Sequence, residues 1–290
     1  LDTSQLTFKI SGEEFNNGYN LFHLNKGLNN FHTLIDKAYL TIEDRKKMSE
    51  KDREILQIKA YDIREGSFEA DLVIHLTGVS LSLFPAFQNM TPKDLWNLVT
   101  KGYEYLKKIF ELNSQGIIIN MYPSGDNNGN INIINGDGDI LIEEAPEVLR
   151  YASLSQRTFD ELARSINPLK GIDSFNVYER GNNSNKLIIG EEEKLLFENI
   201  TRIEDETISF KGYIFKSNAE NFTGKLKVLE TSAGIGVGDY NFEFAVKDNE
   251  EKLKDTYLTE KTFFALRETT LNAGTLQRKI SKLKIVEVRD

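Results

Sequence analysis

The sequence predicts an α+β fold for about the first two thirds of the chain and a small β-barrel for the last third. Three observations predict it. Up to about residue 190, apolar spacing of three and four alternates with strand-like alternation. From there to Asp290 the chain reads as short strands and turns with almost no helical spacing. Between the two lies the acidic triplet Glu191-Glu192-Glu193, read as a solvated linker. The expected organisation is therefore a mixed α+β layer domain over residues 1–190 and a smaller β-barrel domain over residues 194–290, each with its own core.

Taken in order, Leu6, Phe8 and Ile10 alternate as a first strand, followed by a polar turn from Gly12 to Gly18. Asn20 is placed to cap a helix running to about Tyr39, because an Asn side chain accepts from the free amides of a first turn. Leu21, Leu24, Leu28, Phe31, Leu34, Ile35 and Ala38 form its apolar stripe, with Asn29 and Asn30 on the outer face. Glu43–Glu54 reads as a solvated loop or short helix. Leu56, Ile58 and Ala60 then alternate, as do Phe68, Ala70, Leu72, Ile74 and Leu76, with Gly66 in the turn between them. That pattern predicts a two-stranded antiparallel ribbon with one apolar face.

Thr91-Pro92 opens the next helix: Thr91 as the cap, Pro92 in the first turn and Asp94 favoured by the helix dipole. Its buried stripe is Leu95, Leu98, Val99, Leu106, Ile109 and Phe110, with Trp96 near the edge and an end near Asn113. Gly116–Tyr122 reads as a strongly apolar strand. Ile131/Ile133 and Ile140/Ile142 flank Gly136-Asp137-Gly138 as a hairpin. Pro146 starts a helical region through Ile166, stopped at Asn167-Pro168. Strands are expected over Ile172–Tyr178 and Leu187–Ile189, separated by a loop Gly181–Asn185. In the last third the expected strands are Ile208–Phe215, Thr223–Leu229, Tyr240–Val246, Gln277–Val288 and a shorter one at Thr262–Leu266. Five strands in so short a stretch suit a closed barrel, which leaves few unpaired edges.

Composition narrows the chemistry. The net charge is −9, and the residues from 191 onward carry 16 Lys and Arg against 19 Asp and Glu, so neither half is a basic module and nucleic acid is disfavoured as a partner. Arg278, Lys279, Lys282 and Lys284 come nearest to a basic patch and read as a solvated edge. With no cysteine, disulfides, thiolate nucleophiles and Cys-based zinc sites are excluded, and a cytoplasmic location fits. The start already reads as a strand rather than a signal peptide, and the missing initiator Met is read as a removed tag or first residue. No charged residue lies between Asp71 and Lys93, but His75, Ser80, Pro85 and Pro92 make segment 72–92 too polar for a spanning helix. Contact of that segment with lipid is carried as an alternative.

No catalytic, cofactor-binding or metal-ligating set emerges. His23 and His32, nine residues apart on one helix, are separated by about 13.5 Å and roughly 180°, too far to share a metal; the third histidine is His75. Gly234, Gly236 and Gly238 resemble part of a dinucleotide loop, but that fingerprint needs a helix after it and strands flank this one. Asp126–Asp137 fails as a calcium loop: Ile131 stands where glycine is required and Asp137 where glutamate is. No P-loop and no nucleophile elbow is present.

The order of several weak motifs resembles a family of uncharacterised bacterial proteins with an N-terminal α+β domain and a C-terminal five-stranded β-barrel. They are the opening strand and helix, the Glu65-Gly66-Ser67-Phe68 turn, the Gly-Asp-rich hairpin at Gly136, Asn167-Pro168-Leu169 with Gly171-Ile172-Asp173, and the terminal strands. The resemblance implies an architecture and an accessory role such as defence or mobile-element biology, and it supplies no catalytic residues. The leading expectation is a non-catalytic binding or scaffold protein that recognises a protein partner or small molecule, in a homo-oligomer or alone. The alternatives are a membrane-acting effector using residues 72–92, a hydrolase or transferase with an unfamiliar carboxylate site, and single-strand nucleic-acid binding by the barrel, which the acidic balance disfavours.

Overall fold

The computed structural model describes residues 3–16, 18–64, 67–77, 89–117, 119–123, 130–135, 138–198, 200–230, 234–246 and 254–290. The fold is mixed α+β and divides into two compact units: Leu1–Asn199 with Ala273–Leu276, and Ile200–Asn272 with Gln277–Asp290.

The first unit is built on a five-stranded antiparallel sheet. Its strands are β1 (Thr3–Ser11), β2 (Leu56–Arg64), β3 (Phe68–Leu76), β7 (Ser174–Glu179) and β8 (Asn182–Ile189), in the order β2-β3-β1-β7-β8. The ribbon expected from β2 and β3 is thus the flank of a larger sheet, because β3 also pairs with β1 over eight residues. Leu6, Phe8, Ile10, Phe68, Ala70, Leu72 and Ile74 are all buried, as alternation demands on a face covered by helices. Ala60 does not follow: β2 is an edge strand and is exposed from Lys59 onward. The expected turn at Gly66 lies outside the described residues.

Helix α1 (Leu21–Ile42) starts where Asn20 predicts, with the Asn20 side chain accepting from the amides of Phe22 and His23 at 3.2 and 3.4 Å. Its buried arc centres on Gly27, Phe31, Leu34 and Ala38. At 100° per residue, Leu21 falls roughly 100° from that centre and is 75% exposed, while Asn30 falls roughly 80° away on the other side and is buried. Both depart from the sequence expectation. The charged segment after α1 forms a short helix α2 (Glu50–Ile55), closed by a capping box between Ser49 and Asp52.

Helix α3 (Pro92–Ser114) begins with the Thr91–Asp94 capping box. Trp96, expected at its edge, is 0% exposed. Buried residues from Leu112 round to Trp96 span roughly 200° of the helix, so α3 is covered on both flanks rather than on one. Trp96 meets Phe31 at 6.4 Å and its indole N–H donates to the carbonyl of Asn185. Helix α4 (Pro146–Ala163) packs on α1 and α3. Gly102 of α3 permits that approach, since a Cβ there would sit 2.3 Å from the fully buried Tyr151 ring.

Three corrections concern polar stretches. The turn between β7 and β8 is Arg180-Gly181, with Gly181 at φ 82, and β8 begins at Asn182, so the expected loop Gly181–Asn185 is mostly strand. Glu191-Glu192-Glu193 is the first turn of helix α5 (Glu191–Glu198) and not a linker. Carboxylates favour that position electrostatically, and Glu193 accepts from the Gly190 amide and from Lys107, both at 3.0 Å. Phe197 anchors α5 against Phe110 and Phe159, with centroids at 5.1 and 6.3 Å. The expected apolar strand after Gly116 is β4 (Ile119–Pro123). It pairs with β5 (Ile131–Asn135), which pairs with β6 (Ile140–Glu144), in a small separate sheet. There β4 lies at an edge, with Asn120, Tyr122 and Pro123 exposed and Ile119 and Met121 half-buried.

The last five strands are β9 (Thr201–Asn218), β10 (Thr223–Val228), β11 (Gly238–Phe244), β12 (Lys261–Asn272) and β13 (Gln277–Arg289). They close in a ring, β9-β10-β11-β13-β12, with β11 and β13 parallel and the other pairs antiparallel. Ile208, Phe210, Ile214, Leu226, Phe242, Phe263 and Leu283 share one buried cluster inside it. Phe210 and Phe263 stack at 5.7 Å with 12° between planes. β9 and β12 are longer than the sequence predicts because bulges interrupt their alternation at Leu266/Glu268 and Phe264/Ala265.

Candidate functional site

The residues weighed in the sequence do not converge. His23 sits in the first turn of α1, His32 lies 3.7 Å from Asp36 and 3.2 Å from Arg53, and His75 is on β3. Among the described residues no group of three His, Asp or Glu could hold a metal ion. Gly234 adopts φ 84 and its carbonyl accepts from Arg267 at 3.0 Å; strand β11 follows, so the helix a dinucleotide loop requires is absent there. Residues 124–129 and 136–137, which include half of the oxygen-rich stretch Asp126–Asp137, lie outside the described residues. Of the remainder, Asn135 accepts from the Asp139 amide at 2.9 Å, so its side chain closes a turn. On β13, Lys282 pairs with Glu243 and Glu268, and Arg278 donates to the carbonyls of Ile200 and Thr269, so only Lys279 and Lys284 of that cluster lack such a contact with a described residue. Within segment 72–92, residues 72–76 belong to β3 and 78–88 lie outside the described residues. No described helix is long and apolar enough to cross a membrane.

Two buried carboxylates hold structure. Asp71, 1% exposed on the face of the sheet away from the helices, accepts from Thr7 and Arg64 on one oxygen (3.2 and 2.5 Å) and from Gln5 and Arg180 on the other (3.3 and 3.1 Å). Four donors on two oxygens satisfy the hydrogen-bonding capacity of this buried carboxylate. Asp52 accepts from Tyr39, Arg45 and the Ser49 hydroxyl and amide. Burial opposes its ionisation, but these hydrogen bonds and the Arg45 charge outweigh burial and hold the carboxyl below its usual range. Burial, together with the hydrogen bond to Asp52 and its charge, pushes the Tyr39 hydroxyl up to about 12.

Linkage fixes the sign of the acid response. A folded value below the unfolded value of about 3.9 gives stabilisation that is fully present above that pH and is lost as pH falls through the lowered value. Asp52→Asn is expected to cost about 2 kcal/mol at pH 7 through the lost cap and charged hydrogen bonds. It is also expected to flatten the acid limb of the stability curve, measured by urea unfolding between pH 7 and pH 3. An unchanged acid limb would show that Asp52 carries none of the acid sensitivity.

The arrangement best suited to a ligand is a cleft of about 480 Å³ within the first unit. Met121, Tyr122 and Pro123 of β4 and Ile131 of β5 form one wall, and Pro146, Leu149, Arg150, Ser153 and Leu154 of α4 another. Gly274 and Thr275, which cluster with this unit, complete the lining. Tyr122 and Leu154 are 52% and 44% exposed at its mouth. Helical spacing puts Pro146, Leu149, Arg150 and Ser153 on one side of α4, and antiparallel register sets Pro123 directly opposite Ile131.

Arg150 is the one charged residue among the described lining residues, and its guanidinium also pairs with Asp44. Among the described residues no carboxylate or imidazole lines the cleft. Glu144, whose carboxyl is raised by burial and, to a smaller extent, by Glu147, stands outside the lining. Sequence reasoning missed the cleft because its walls come from three remote segments; the signal was Tyr122 and Leu154, large apolar residues without a place in a buried stripe. Comparison of the chain with protein-family models, with curated proteins and with solved structures finds no match.

Proposed function

We propose that the chain is a non-catalytic binding protein whose cleft receives the apolar part of a small molecule, with Arg150 holding an anionic end. The observation that supports this most is the lining itself: an apolar pocket of ordinary ligand size with one orienting cation. In the same reading, the ring of β9–β13 is a separate small β-barrel domain and the α+β unit ahead of it a second domain; the closed strand order and the buried cluster inside the ring support that division.

The binding reading is tested by thermal shift with medium-chain fatty acids and the matching alcohols. The acids are expected to raise the melting temperature more than the alcohols. Leu154→Asp is expected to abolish the shift, since it sets a charge at the apolar mouth while leaving the buried core alone. Arg150→Ala is expected to remove the preference for acids. Absence of any shift, or an unchanged shift in Leu154→Asp, would count against the cleft as the binding site.

A further inference from the structure

We propose that the outer face of the β9–β10 hairpin binds single-stranded nucleic acid, with Lys211, Lys216, Lys225 and Lys227 on the phosphates and Tyr213 against a base. This goes beyond the ligand reading above and uses none of its residues.

The net charge of −9 conceals strong local segregation. Residues 211–227 contain four lysines and one glutamate, Glu220 in the turn. Phe210, Gly212 and Ile214 of β9 and Leu226 and Val228 of β10 face the interior of the ring. Alternation therefore turns Lys211, Tyr213, Lys225 and Lys227 outward, and all four lysines are exposed. Register completes the arrangement. Lys225 stands directly opposite Lys216, and Lys227 directly opposite Tyr213. A bulge at Lys225/Leu226 brings the first pair into line.

Like charges directly opposite on neighbouring strands are destabilising, and among the described residues no ion pair relieves the Lys216–Lys225 pair. None of the four lysines forms an ion pair with a described residue, whereas Lys261, Arg267, Lys282 and Arg289 of the same ring each do. Asp239, which faces Lys227 across β11, makes no ion pair with it, and Glu243 is engaged by Lys282. Lys225 and Lys227 lie on β10 between β9 and β11, so they do not serve to blunt a sheet edge, while Lys216 lies past Gly212, where the pairing of β9 with β12 ends. An exposed cationic face without partners needs an anion to offset its self-repulsion.

The aromatic ring selects among anions. A half-buried tyrosine flanked by lysines offers one stacking surface between phosphate contacts, the arrangement that recognises unpaired bases; bases inside a duplex cannot reach it. A lipid surface fits less well: β10 and residues 204–218 of β9 expose no large apolar side chain among the described residues, and the exposed Tyr257 and Leu258, bridged to Ile214, lie beside the lysine face rather than within it.

The test is fluorescence anisotropy of the full chain with a labelled oligo-deoxythymidine of about 12 nucleotides, a length within the range of single-strand site sizes. With about four phosphates neutralised at a slope of about −0.7 each, affinity is expected to fall about 50-fold between 50 and 200 mM salt. Tyr213→Ala is expected to weaken binding about tenfold through lost stacking. Lys225→Glu sets opposite charges across the Lys216 pair. It is expected to melt no lower than the wild type yet bind at least about tenfold more weakly, which separates binding from folding. No anisotropy change at 50 mM salt would overturn the proposal. So would a Tyr213→Ala variant that binds as well as the wild type, or equal competition by polyglutamate or phosphatidylserine vesicles, since either would mean a patch that does not read nucleic acid.

Discussion

Phe159→Ala is expected to destabilise the first unit by about 3–5 kcal/mol, the range for removing a fully buried aromatic ring. Phe159 stands at the meeting point of three helices: its ring lies 5.5 Å from Tyr103 of α3, 6.4 Å from Tyr151 within α4 and 6.3 Å from Phe197 of α5. All four rings are buried. Tyr151 and Tyr103 cannot collapse into the space without breaking the bonds their hydroxyls make to the carbonyls of Leu34 and Ile188. The cavity therefore stays largely open, which places the loss at the upper end. Trp96, the one tryptophan of the chain, lies buried in this unit and reports its unfolding by fluorescence. The check is the urea midpoint of the Trp96 transition, and a loss under about 1 kcal/mol would show that the helices are not held by this cluster. Because Phe197 is part of the cluster, α5 should loosen with it, seen as faster amide exchange over 191–198.

The second large effect is expected inside the ring. Phe210→Ala removes one member of the stacked pair with Phe263 and is expected to cost the ring about 3–5 kcal/mol. Phe210 is directly opposite Phe263 in the β9–β12 register, so the stack also joins two neighbouring strands. Five strands enclose too small an interior to refill the space from elsewhere, and Ala265, beside the pair, cannot reach across it. Amide exchange of β9 and β12 is the readout; protection equal to the wild type would mean that the stack contributes little.

Much of this fold was legible from local chemistry. Asn20 and Thr91 mark helix starts because their side chains satisfy amides that the helix leaves free, and that requirement involves only three neighbouring residues. Phe68 to Leu76 could be read as a strand because one covered face imposes a period of two. What escaped was set by distant partners. Trp96 is buried because a second layer covers α3, which its own spacing does not encode. The triplet at Glu191 looked like a linker because its composition is polar, yet Lys107, some eighty residues earlier, and the Phe197 anchor fix it as a helix start.

The insertion of β1 between β3 and β7 joins strands far apart in sequence, and no local pattern specifies it. The two candidate surfaces share that character. The cleft is assembled from α4, the small sheet and residues 274–275. The lysine face appears only when β9 and β10 pair with a bulge in register; along the chain its cations are spaced too widely to read as a patch, whereas Arg278, Lys279, Lys282 and Lys284 cluster in sequence.

The claim beneath all of this is that the ring of β9–β13 has an interior of its own, and Phe210→Ala tests it most directly when Trp96 fluorescence and amide exchange are followed on the same sample. Separate interiors predict an unchanged Trp96 transition together with faster exchange confined to residues 200–272 and 277–290. A Trp96 transition that shifts along with the ring, and faster exchange spread through β1, β3 and α3, would show one continuous core and contradict the account.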